Sequence, residues 1–284
     1  MELRIATCRP LPEPDPDEEP LLAALEARGV RARMAGWNDP AEDWDAPVAT
    51  VVRSTWDYLH ELDAFLAWIE RAARAAPLWN PPGILRGNVH KFYLRELAGG
   101  GFPIVPTAFL ERGARVRLAD VLAEHGWGDV VVKPAVSAAS FGTLRVRASA
   151  AGERARGEAH LAQLLAERDV LVQRYAPAVE TSGERALVWI DGELTHSVRK
   201  HPRFTGQDER VSDALEPAED ERALALALLE PFGHELLYAR VDLVRDECGV
   251  PELMELELIE PSLFLVQHPP ALVRLADALA QRLA

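Results

Sequence analysis

Three carboxylates lie close together near the end of the chain, in the stretch YARVDLVRDECGVPELMELELIEP. This stretch predicts two strands joined by a short turn at Gly249. If the strands pair symmetrically about that turn, Asp242 lies opposite Glu255, and Glu257 projects from the same face because strand side chains alternate. Like charges opposite one another destabilise a sheet. The face is therefore either wet or a site for a divalent cation such as magnesium, which prefers oxygen ligands.

Lysine is unusually rare in this chain, which has 31 basic residues but only three lysines, Lys91, Lys133 and Lys200. The lysine ammonium is a compact point charge that the arginine fork cannot always replace. Lys133 follows an apolar run and precedes the small-residue loop SAASFG, a pattern that suits a lid over phosphate groups. Lys91 falls in a stretch that predicts a helix over residues 88–101. Taken singly, each lysine is equally well explained as a solvated surface residue.

Two further strand ends carry polar side chains. Gln173 and Tyr175 end a predicted strand that runs into a proline-containing linker. The backbone of such a linker can contact a flat heterocycle, although an interdomain connection explains it equally well. Arg199 and Lys200 end another predicted strand. In an acidic protein this pair makes an anion site, or it protects the edge of a sheet.

The elements that must position these residues change character along the chain. Strands alternate with helices over roughly the first 80 residues, which predicts a small parallel α/β domain. Hairpins interleaved with helices follow, and they indicate antiparallel sheets of the α+β kind. The Asp191-Gly192 pair predicts one of these hairpins. At the end of a strand in the first domain, Arg53 can pair with a substrate carboxylate. Trp56 can line a pocket there, or it packs under the next helix.

Composition excludes several classes of function. The net charge of −14 over 284 residues argues against non-specific binding of nucleic acid or anionic membranes. No run of about 18 apolar residues predicts a membrane-spanning helix. The first residues lack the pattern of a signal peptide, so a cytoplasmic location is expected. Two distant cysteines make neither a disulfide framework nor a zinc site.

The order of these features from residue 82 to residue 264 resembles that of the ATP-grasp superfamily. The resemblance implies a two-subdomain ATP-grasp fold after the first domain, with domains over residues 1–82, 83–168 and 169–284. It implies that Asp242, Glu255 and Glu257 hold magnesium, with two ions expected. It also implies that ATP contacts Lys91, Lys133, Ser137, Ser140, Gln173, Arg174, Tyr175, Ala176, Glu180 and Glu184. Two features depart from the usual pattern, since the lid has one glycine, Gly142, and the linker begins with Gln173 where Glu is common.

Longer runs look like the ATP-grasp ligases related to the cyclo-ligase of cycloserine biosynthesis, the O-ureido-serine cyclo-ligase type. They include VVRSTWDY, VVKPAVSA and LMELELIEPSLFL. The spacing of ELELIEP also resembles that of bacterial glutathione synthetases. The resemblance reaches into the first domain, where the expected substrate-binding residues are Arg53, Ser54, Thr55, Trp56 and Asp57.

This resemblance implies an ADP-forming ligase acting on a small-molecule carboxylate and an amine. ATP would convert the carboxylate to an acyl phosphate, which Arg199 and Lys200 would stabilise until a nitrogen nucleophile forms the C–N bond. The two groups can lie in one molecule, as a cyclisation requires. A small-molecule kinase and a non-catalytic nucleotide-binding module are the alternatives that the sequence leaves open. A homodimer is one expectation for the assembly, because dimers are common among symmetric oligomers.

Overall fold

The computed structural model describes residues 1–138, 140–201 and 210–284, and in that part of the chain its strands form three sheets of four strands each. The first sheet is parallel and has the order β2-β1-β3-β4. Its elements are β1 (Glu2–Thr7), α1 (Glu18–Glu26), β2 (Arg31–Gly36), β3 (Ala49–Ser54), α2 (Leu62–Ala75) and β4 (Leu78–Trp79). The predicted parallel α/β domain is confirmed.

Both faces of the first sheet are covered. Ile5 and Val51 pack with α1 on one face, and Val52 packs with Phe65 and Ile69 of α2 on the other. Strand β3 is consequently buried along its whole length, as expected for a central parallel strand. The carboxyl end of β3, where the predicted substrate residues begin, is thereby fixed to a rigid core.

The second sheet is antiparallel, with the order β5-β8-β6-β7. Its elements are β5 (Thr107–Leu110), α5 (Leu118–His125), β6 (Asp129–Pro134), β7 (Leu144–Arg147), α6 (Ala151–Glu167) and β8 (Val170–Arg174). Val130 and Val132 face the helices, where they join the core formed with Leu118 and Leu161. Because side chains alternate, Lys133 projects from the opposite face of β6.

The third sheet is also antiparallel and carries the predicted carboxylate hairpin. Its order is β10-β9-β11-β12. Its strands are β9 (Glu184–Ile190), β10 (Glu193–Lys200), β11 (Tyr238–Arg245) and β12 (Pro251–Glu257). Positive φ angles at Asp191 (43°) and Gly192 (89°) fit the tight turn predicted between β9 and β10. Helix α8 (Glu219–Leu229) packs on one face of the sheet and α9 (Pro269–Leu283) on the other.

The predicted helix over residues 88–101 is wrong in its extent. The chain forms α3 (Pro82–Asn88) and α4 (Tyr93–Gly99), and Lys91 lies in the turn between them. The backbone N–H of Lys91 donates to the carbonyl of Ala135 at 2.8 Å, a partner beyond the end of β6, so the helical hydrogen-bond ladder is interrupted there. Lys91 therefore lies on a turn fixed to the start of the lid loop.

The predicted domain ranges, 1–82, 83–168 and 169–284, stay predictions. Strand β8 follows residue 168 but pairs with β5 and β6, so it belongs to the second sheet. The chain passes from the second sheet to the third between Arg174 and Glu184, through the short helix α7 (Ala178–Thr181). Among the described residues, none of the helices has the length and hydropathy that a bilayer crossing requires.

Asn80 joins the first domain to the third sheet. Its Nδ2 donates to the carbonyls of Tyr238 (2.9 Å) and Leu258 (2.8 Å), and its Oδ1 accepts from the N–H of Leu237 (2.7 Å). The side chain is completely buried. Replacing it by alanine leaves buried backbone groups without partners, so we expect Asn80→Ala to lower the free energy of unfolding by about 3 kcal/mol.

Chemical denaturation measures that loss. The matched control is Asn38→Ala, because Asn38 is exposed and its one side-chain hydrogen bond, to Asp57, is 3.4 Å long. We expect the control to change stability by less than about 0.5 kcal/mol. Equal effects of the two substitutions would contradict the role given to Asn80.

Candidate active site

Strand alternation gathers four carboxylates on one face of the third sheet. Asp242 pairs in register with Glu255, and Glu257 follows on the same face of β12. Glu184 joins them from the start of β9, since its side chain shares Lys200 with Asp242. We call this the carboxylate face. It continues into the core that packs against α9 and the first sheet, whereas the opposite face is apolar and packs under α8.

Cationic side chains lie between the carboxylates. Lys91 Nζ is 3.0 Å from Glu255 Oε1, and Lys200 Nζ is 2.8 Å from Glu184 Oε1 and 3.2 Å from Asp242 Oδ2. Arg240 makes two hydrogen bonds to Asp242, at 2.8 and 2.9 Å. Its guanidinium also pairs with the carboxylate of Glu257. Opposite charges therefore offset the repulsion that four clustered carboxylates would otherwise cause.

The charges split the pKa values of the cluster. Burial raises the pKa of Asp242, but Arg240 and Lys200 more than offset this and hold it well below its usual range. Burial also raises the pKa of Glu255, but the charges of Lys91 and Lys133 more than offset this, so the pKa of Glu255 is lowered overall. Burial, with the charge of Asp242, raises the pKa of both Glu184 and Glu257 to about 7. Asp242 and Glu255 are thus the firmly ionised members.

The donor set fits a hard divalent cation, since carboxylate oxygens are the ligands that magnesium prefers. In the described ranges, however, no group of three or more histidine, cysteine or acidic side chains is arranged as a metal cage. Each carboxylate is instead turned toward a lysine or an arginine. The assignment of Asp242, Glu255 and Glu257 to magnesium stays a prediction.

Glu184 and Arg240 are cluster members that the sequence reading did not place there. The resemblance groups Glu184 with Glu180 among the residues that contact ATP, but only the strand order β10-β9-β11-β12 shows that Glu184 lies beside Asp242. Arg240 had a readable signal. It stands two positions before Asp242 on the same strand, and strand alternation puts both side chains on one face.

Lys133 and Gln173 form a buried pair between the second and third sheets. Lys133 Nζ donates to Gln173 Oε1 at 3.1 Å, and Gln173 Nε2 donates to Thr107 Oγ1 at 3.0 Å. Burial lowers the pKa of Lys133, partly offset by the charge of Glu255. The glutamine thus orients the lysine without a charge of its own. Both Lys91 and Lys133 act on Glu255, so the structure brings the two predicted phosphate lysines together with the carboxylate face.

The predicted lid loop connects β6 to β7, and Ala139 within it lies outside the described residues. Lys91 Nζ donates to the carbonyl of Ser137 at 2.6 Å, and Ser137 is buried. Ser140 is exposed. At Gly142, φ is 65° and an added Cβ would lie 3.2 Å from the Pro134 ring, so the single glycine of the loop is required there.

The lid loop also contacts the first domain. The ring of Phe141 meets that of His60 edge-to-face, with centroids 5.2 Å apart. Val136 and Ala138 pack against the core formed with α2. In this structure the loop therefore lies against the first domain.

Three predicted linker residues, Arg174, Tyr175 and Ala176, lie away from the carboxylate face. Arg174 pairs with Glu252 at 3.2 Å, and the side chain of Ala176 packs in a small core with Val105 and Val244. Tyr175 donates from its hydroxyl to Glu180 at 2.6 Å. Arg145 lies over the Tyr175 ring, 3.6 Å from its centroid, and pairs with Glu180. Glu180 and Glu184 therefore occupy different sites, although the sequence grouped them.

The side chains of Arg199 and Lys200 lie on opposite faces of β10. Lys200 projects onto the carboxylate face, and its neighbour on the strand must project from the other side of β10. Arg199 is exposed and pairs in register with Arg185, whose side chain reaches Glu221 of α8. The structure brings Lys200 to the cluster and does not bring Arg199 there, because the prediction of a joint role neglected strand alternation.

Arg53, the first of the predicted substrate residues at the end of β3, is buried and already engaged. Arg53 donates to the carbonyl of Pro261 at 2.9 Å and lies 4.0 Å from Asp17, so its guanidinium is not open to a substrate carboxylate in this structure.

The other four predicted substrate residues lie beside Arg53. Ser54 Oγ is 2.9 Å from Thr7 Oγ1, and Asp57 accepts a hydrogen bond of 2.6 Å from the Trp37 indole. Trp56 Nε1 donates to the carbonyl of Glu260 at 3.1 Å. The Thr55 hydroxyl is fully enclosed and has no hydrogen-bond partner in the described part of the chain. Their role in substrate binding stays a prediction.

Glu260 is a buried carboxyl near the site that the sequence reading did not single out. It follows β12 by three residues and is 8% exposed. Burial raises its pKa to about 8, and the charges of Glu257 and Glu255 add to this effect while Lys91 opposes it. The sequence signal was the run of acids ELELIE, in which Glu260 is the last.

This pKa sets a pH dependence of stability. The pKa is about 8 in the folded protein and near 4.5 when unfolded, so the folded state holds the proton more tightly. The resulting stabilisation is complete below pH 4.5 and is lost as the pH rises toward 8. We expect the wild type to lose stability relative to Glu260→Gln between pH 5 and pH 8, by at most about 4 kcal/mol.

Denaturant unfolding of both proteins across this range, without nucleotide, measures the difference. Subtracting the variant from the wild type cancels the titration of the other groups that both proteins share. A difference that stays constant with pH would show that Glu260 keeps an ordinary pKa.

This chain is similar in sequence and in fold to proteins of D-cycloserine synthesis. A family described as the N-terminal domain of D-cycloserine synthetase DcsG matches residues 3–80. The cycloserine biosynthesis protein DcsG of Streptomyces lavendulae is 34% identical over 290 residues, which cover 95% of this chain and 94% of that protein. The crystal structure of D-cycloserine synthetase DcsG superposes with a TM-score of 0.90 at 33% identity and covers 100% of both chains.

A more distant structure shares the fold alone. The ATP-grasp ligase PsnB, crystallised with a minimal precursor, Mg and ADP, superposes with a TM-score of 0.66 at 18% identity. The alignment covers 100% of this chain and 97% of PsnB. The predicted combination of a parallel α/β domain with two antiparallel sheets is therefore the architecture of known ATP-grasp enzymes.

Proposed function

Because the chain belongs to the family of the cycloserine biosynthesis protein DcsG, within the ATP-grasp ligases, we propose that it joins a carboxylate to an amine through an acyl phosphate. The protein is an ATP-dependent carbon–nitrogen ligase that forms ADP. The acyl phosphate, the identity of both substrates and cyclisation are the parts of the function that we propose. The observation that carries the acyl phosphate is the carboxylate face, where Lys91, Lys133 and Lys200 all act on its carboxylates.

In the first step a carboxylate oxygen of the substrate attacks the γ-phosphorus of ATP, the bond to the β-phosphate oxygen breaks, and ADP leaves. We propose that Lys91 and Lys133 hold the nucleotide phosphates, and their joint action on Glu255 supports this. In the second step the nitrogen attacks the acyl carbon, loses a proton, and phosphate leaves. We propose that Lys200 neutralises the departing phosphate.

Asp242, Glu255 and Glu257 would hold magnesium, and we propose two ions there. Bound magnesium supplies neutralisation of phosphate charge during transfer. The chain's own contribution is to keep Asp242 and Glu255 ionised. Lys91 and Lys133 do this at Glu255, and Arg240 does it at Asp242.

We propose a small amino-acid-like molecule as the substrate, carrying the carboxylate and the nitrogen nucleophile together, so that the product is a ring. Support comes from the relative named D-cycloserine synthetase, which matches this chain over its full length. The first domain, which matches the DcsG family over residues 3–80, lies beside the carboxylate face.

The test uses the purified protein with ATP, magnesium and a panel of amino acids that includes ureido amino acids. We expect ADP and phosphate in equal amounts, together with a product lighter than its substrate by the elements lost on ring closure. AMP and pyrophosphate would reject the acyl phosphate. A stable phosphorylated product without free phosphate would favour a kinase, and nucleotide binding without turnover would favour a non-catalytic module.

A further inference from the structure

Side-chain hydrogen bonds to its backbone carbonyls hold the segment that follows β12 in place. Five consecutive backbone carbonyls, from residue 258 to residue 262, each accept a hydrogen bond from a different side chain. The donors are Asn80 (2.8 Å), Tyr238 (2.8 Å), Trp56 (3.1 Å), Arg53 (2.9 Å) and Arg240 (3.3 Å). Such a segment has little freedom, so the side chain at its centre, Glu260, projects from a rigid frame.

In the part of the chain that the structure describes, the Glu260 carboxylate nevertheless has no hydrogen-bond or ion-pair partner. The residue is 8% exposed, yet no described side chain or backbone group donates a hydrogen bond or forms an ion pair with it. Its two oxygens are also absent from the fully enclosed polar atoms, so they keep some access to solvent. Burying a carboxyl without a partner lowers the free energy of unfolding, and the hydrogen bonds to the neighbouring carbonyls do not satisfy that carboxyl.

The neighbouring charges do not satisfy Glu260 either. Glu257 and Glu255 act on it with the same sign. Lys91, the nearest opposing influence, is committed to Glu255 and to the carbonyl of Ser137, and Arg240 is committed to Asp242. Among the described residues, no cation therefore pairs with Glu260, which lies between the first domain and the carboxylate face.

We propose that Glu260 binds the protonated amino group of the amino-acid substrate. This proposal rests on the proposed function and adds a specificity residue to it. An ammonium group offers three donors in a small volume, and it brings a positive charge to Glu260. Trp56 fixes the backbone of the same residue from the first domain, so the ammonium would be held where that domain meets the carboxylate face.

The test compares the wild type with Glu260→Gln on pairs of compounds. Each free amino acid is assayed beside its N-acetyl derivative and its des-amino analogue, by ADP release and by thermal shift with ADP and magnesium present. We expect the wild type to prefer the free amine. In Glu260→Gln the KM of the amino acid should rise about 30-fold or more, with the KM of ATP unchanged. The preference over the neutral analogues should largely disappear.

Glu221→Gln is the matched control. Glu221 is 3% exposed and makes ion pairs with Arg185 and Arg245, on the α8 side of the same sheet. The two variants carry the same chemical change at similar burial. The control should leave the KM of the amino acid within about twofold of the wild type. Thermal unfolding of both variants separates a loss of binding from a loss of folded protein.

Each other outcome is decisive. Wild-type turnover of N-acetyl or des-amino acids as fast as free amino acids would overturn the inference and leave the ligase function standing. A loss of kcat with unchanged KM would show that Glu260 acts as a base. If no acid is turned over, the proposed function fails, and thermal shifts alone decide the inference. Shifts by amino acids that Glu260→Gln abolishes would support it, and equal or absent shifts would overturn it.

Discussion

Replacing Glu255 by glutamine is expected to lower kcat by about a thousandfold or more, with the fold intact. Glu255 is the carboxylate on which both Lys91 and Lys133 act, and they keep its pKa below the usual value despite burial. Glutamine keeps the shape but removes the charge that a magnesium ion needs. A loss of about 4 kcal/mol in the stabilisation of the transferring phosphate corresponds to that factor in rate.

Steady-state ADP release at several magnesium concentrations measures this effect. We expect the magnesium concentration at half-maximal rate to rise along with the fall in kcat, because the variant lacks a ligand. The Glu221→Gln control should behave like the wild type, since its carboxylate lies on the other side of the sheet. Full activity of Glu255→Gln at ordinary magnesium concentrations would remove Glu255 from the metal site.

Replacing Lys200 by methionine is expected to lower kcat at least about a hundredfold. Lys200 is a cation that reaches both Glu184 and Asp242, and we propose that it neutralises phosphate in the second step. Removing one preorganised cation from a transferring phosphoryl group costs roughly 3 kcal/mol. The loss should appear in kcat, because the interaction strengthens as the charge develops.

The neighbouring Arg199 provides the internal comparison. Its side chain is exposed on the opposite side of β10, so Arg199→Met should lower kcat by less than about threefold. Both variants remove one positive charge from adjacent positions, which cancels any general effect of net charge. Similar losses in the two variants would show that Arg199 reaches the site after all, and that the sequence-based pairing of the two residues was correct.

Stability must be measured beside activity for Lys200→Met. Removing the lysine leaves Glu184 and Asp242 facing one another in a buried position, where an unpaired charge is costly. Glu184 can relieve this by taking up a proton, since its pKa is already raised to about 7. We therefore expect a moderate loss of stability that grows as the pH rises above 7, because the proton that relieves the repulsion is then lost.

Local patterns were sufficient for several parts of this protein. Alternation along β11 and β12 predicted that Asp242 faces Glu255, and the register confirms it. The Asp191-Gly192 pair predicted its hairpin, and the alternation of strands and helices predicted the parallel first domain. Such features depend on residues within one or two neighbouring elements, so the sequence alone contains the information.

Other parts depend on contacts between distant segments. Glu184 joined the carboxylate face only because β9 lies between β10 and β11, and the break that puts Lys91 on a turn depends on a hydrogen bond to Ala135. Strand pairing and packing decide such neighbours, and no local propensity records them.

The sequence by itself determined the hairpin, the three notable lysines and the family, because each is recognised from residue types or short runs whose pattern does not depend on packing. Only the tertiary structure decided that Lys200 and not Arg199 faces the carboxylates, and that Glu260 is buried with no partner among the described residues. Both depend on which face of a sheet is covered, and that is settled when separate elements bury their apolar surfaces against one another.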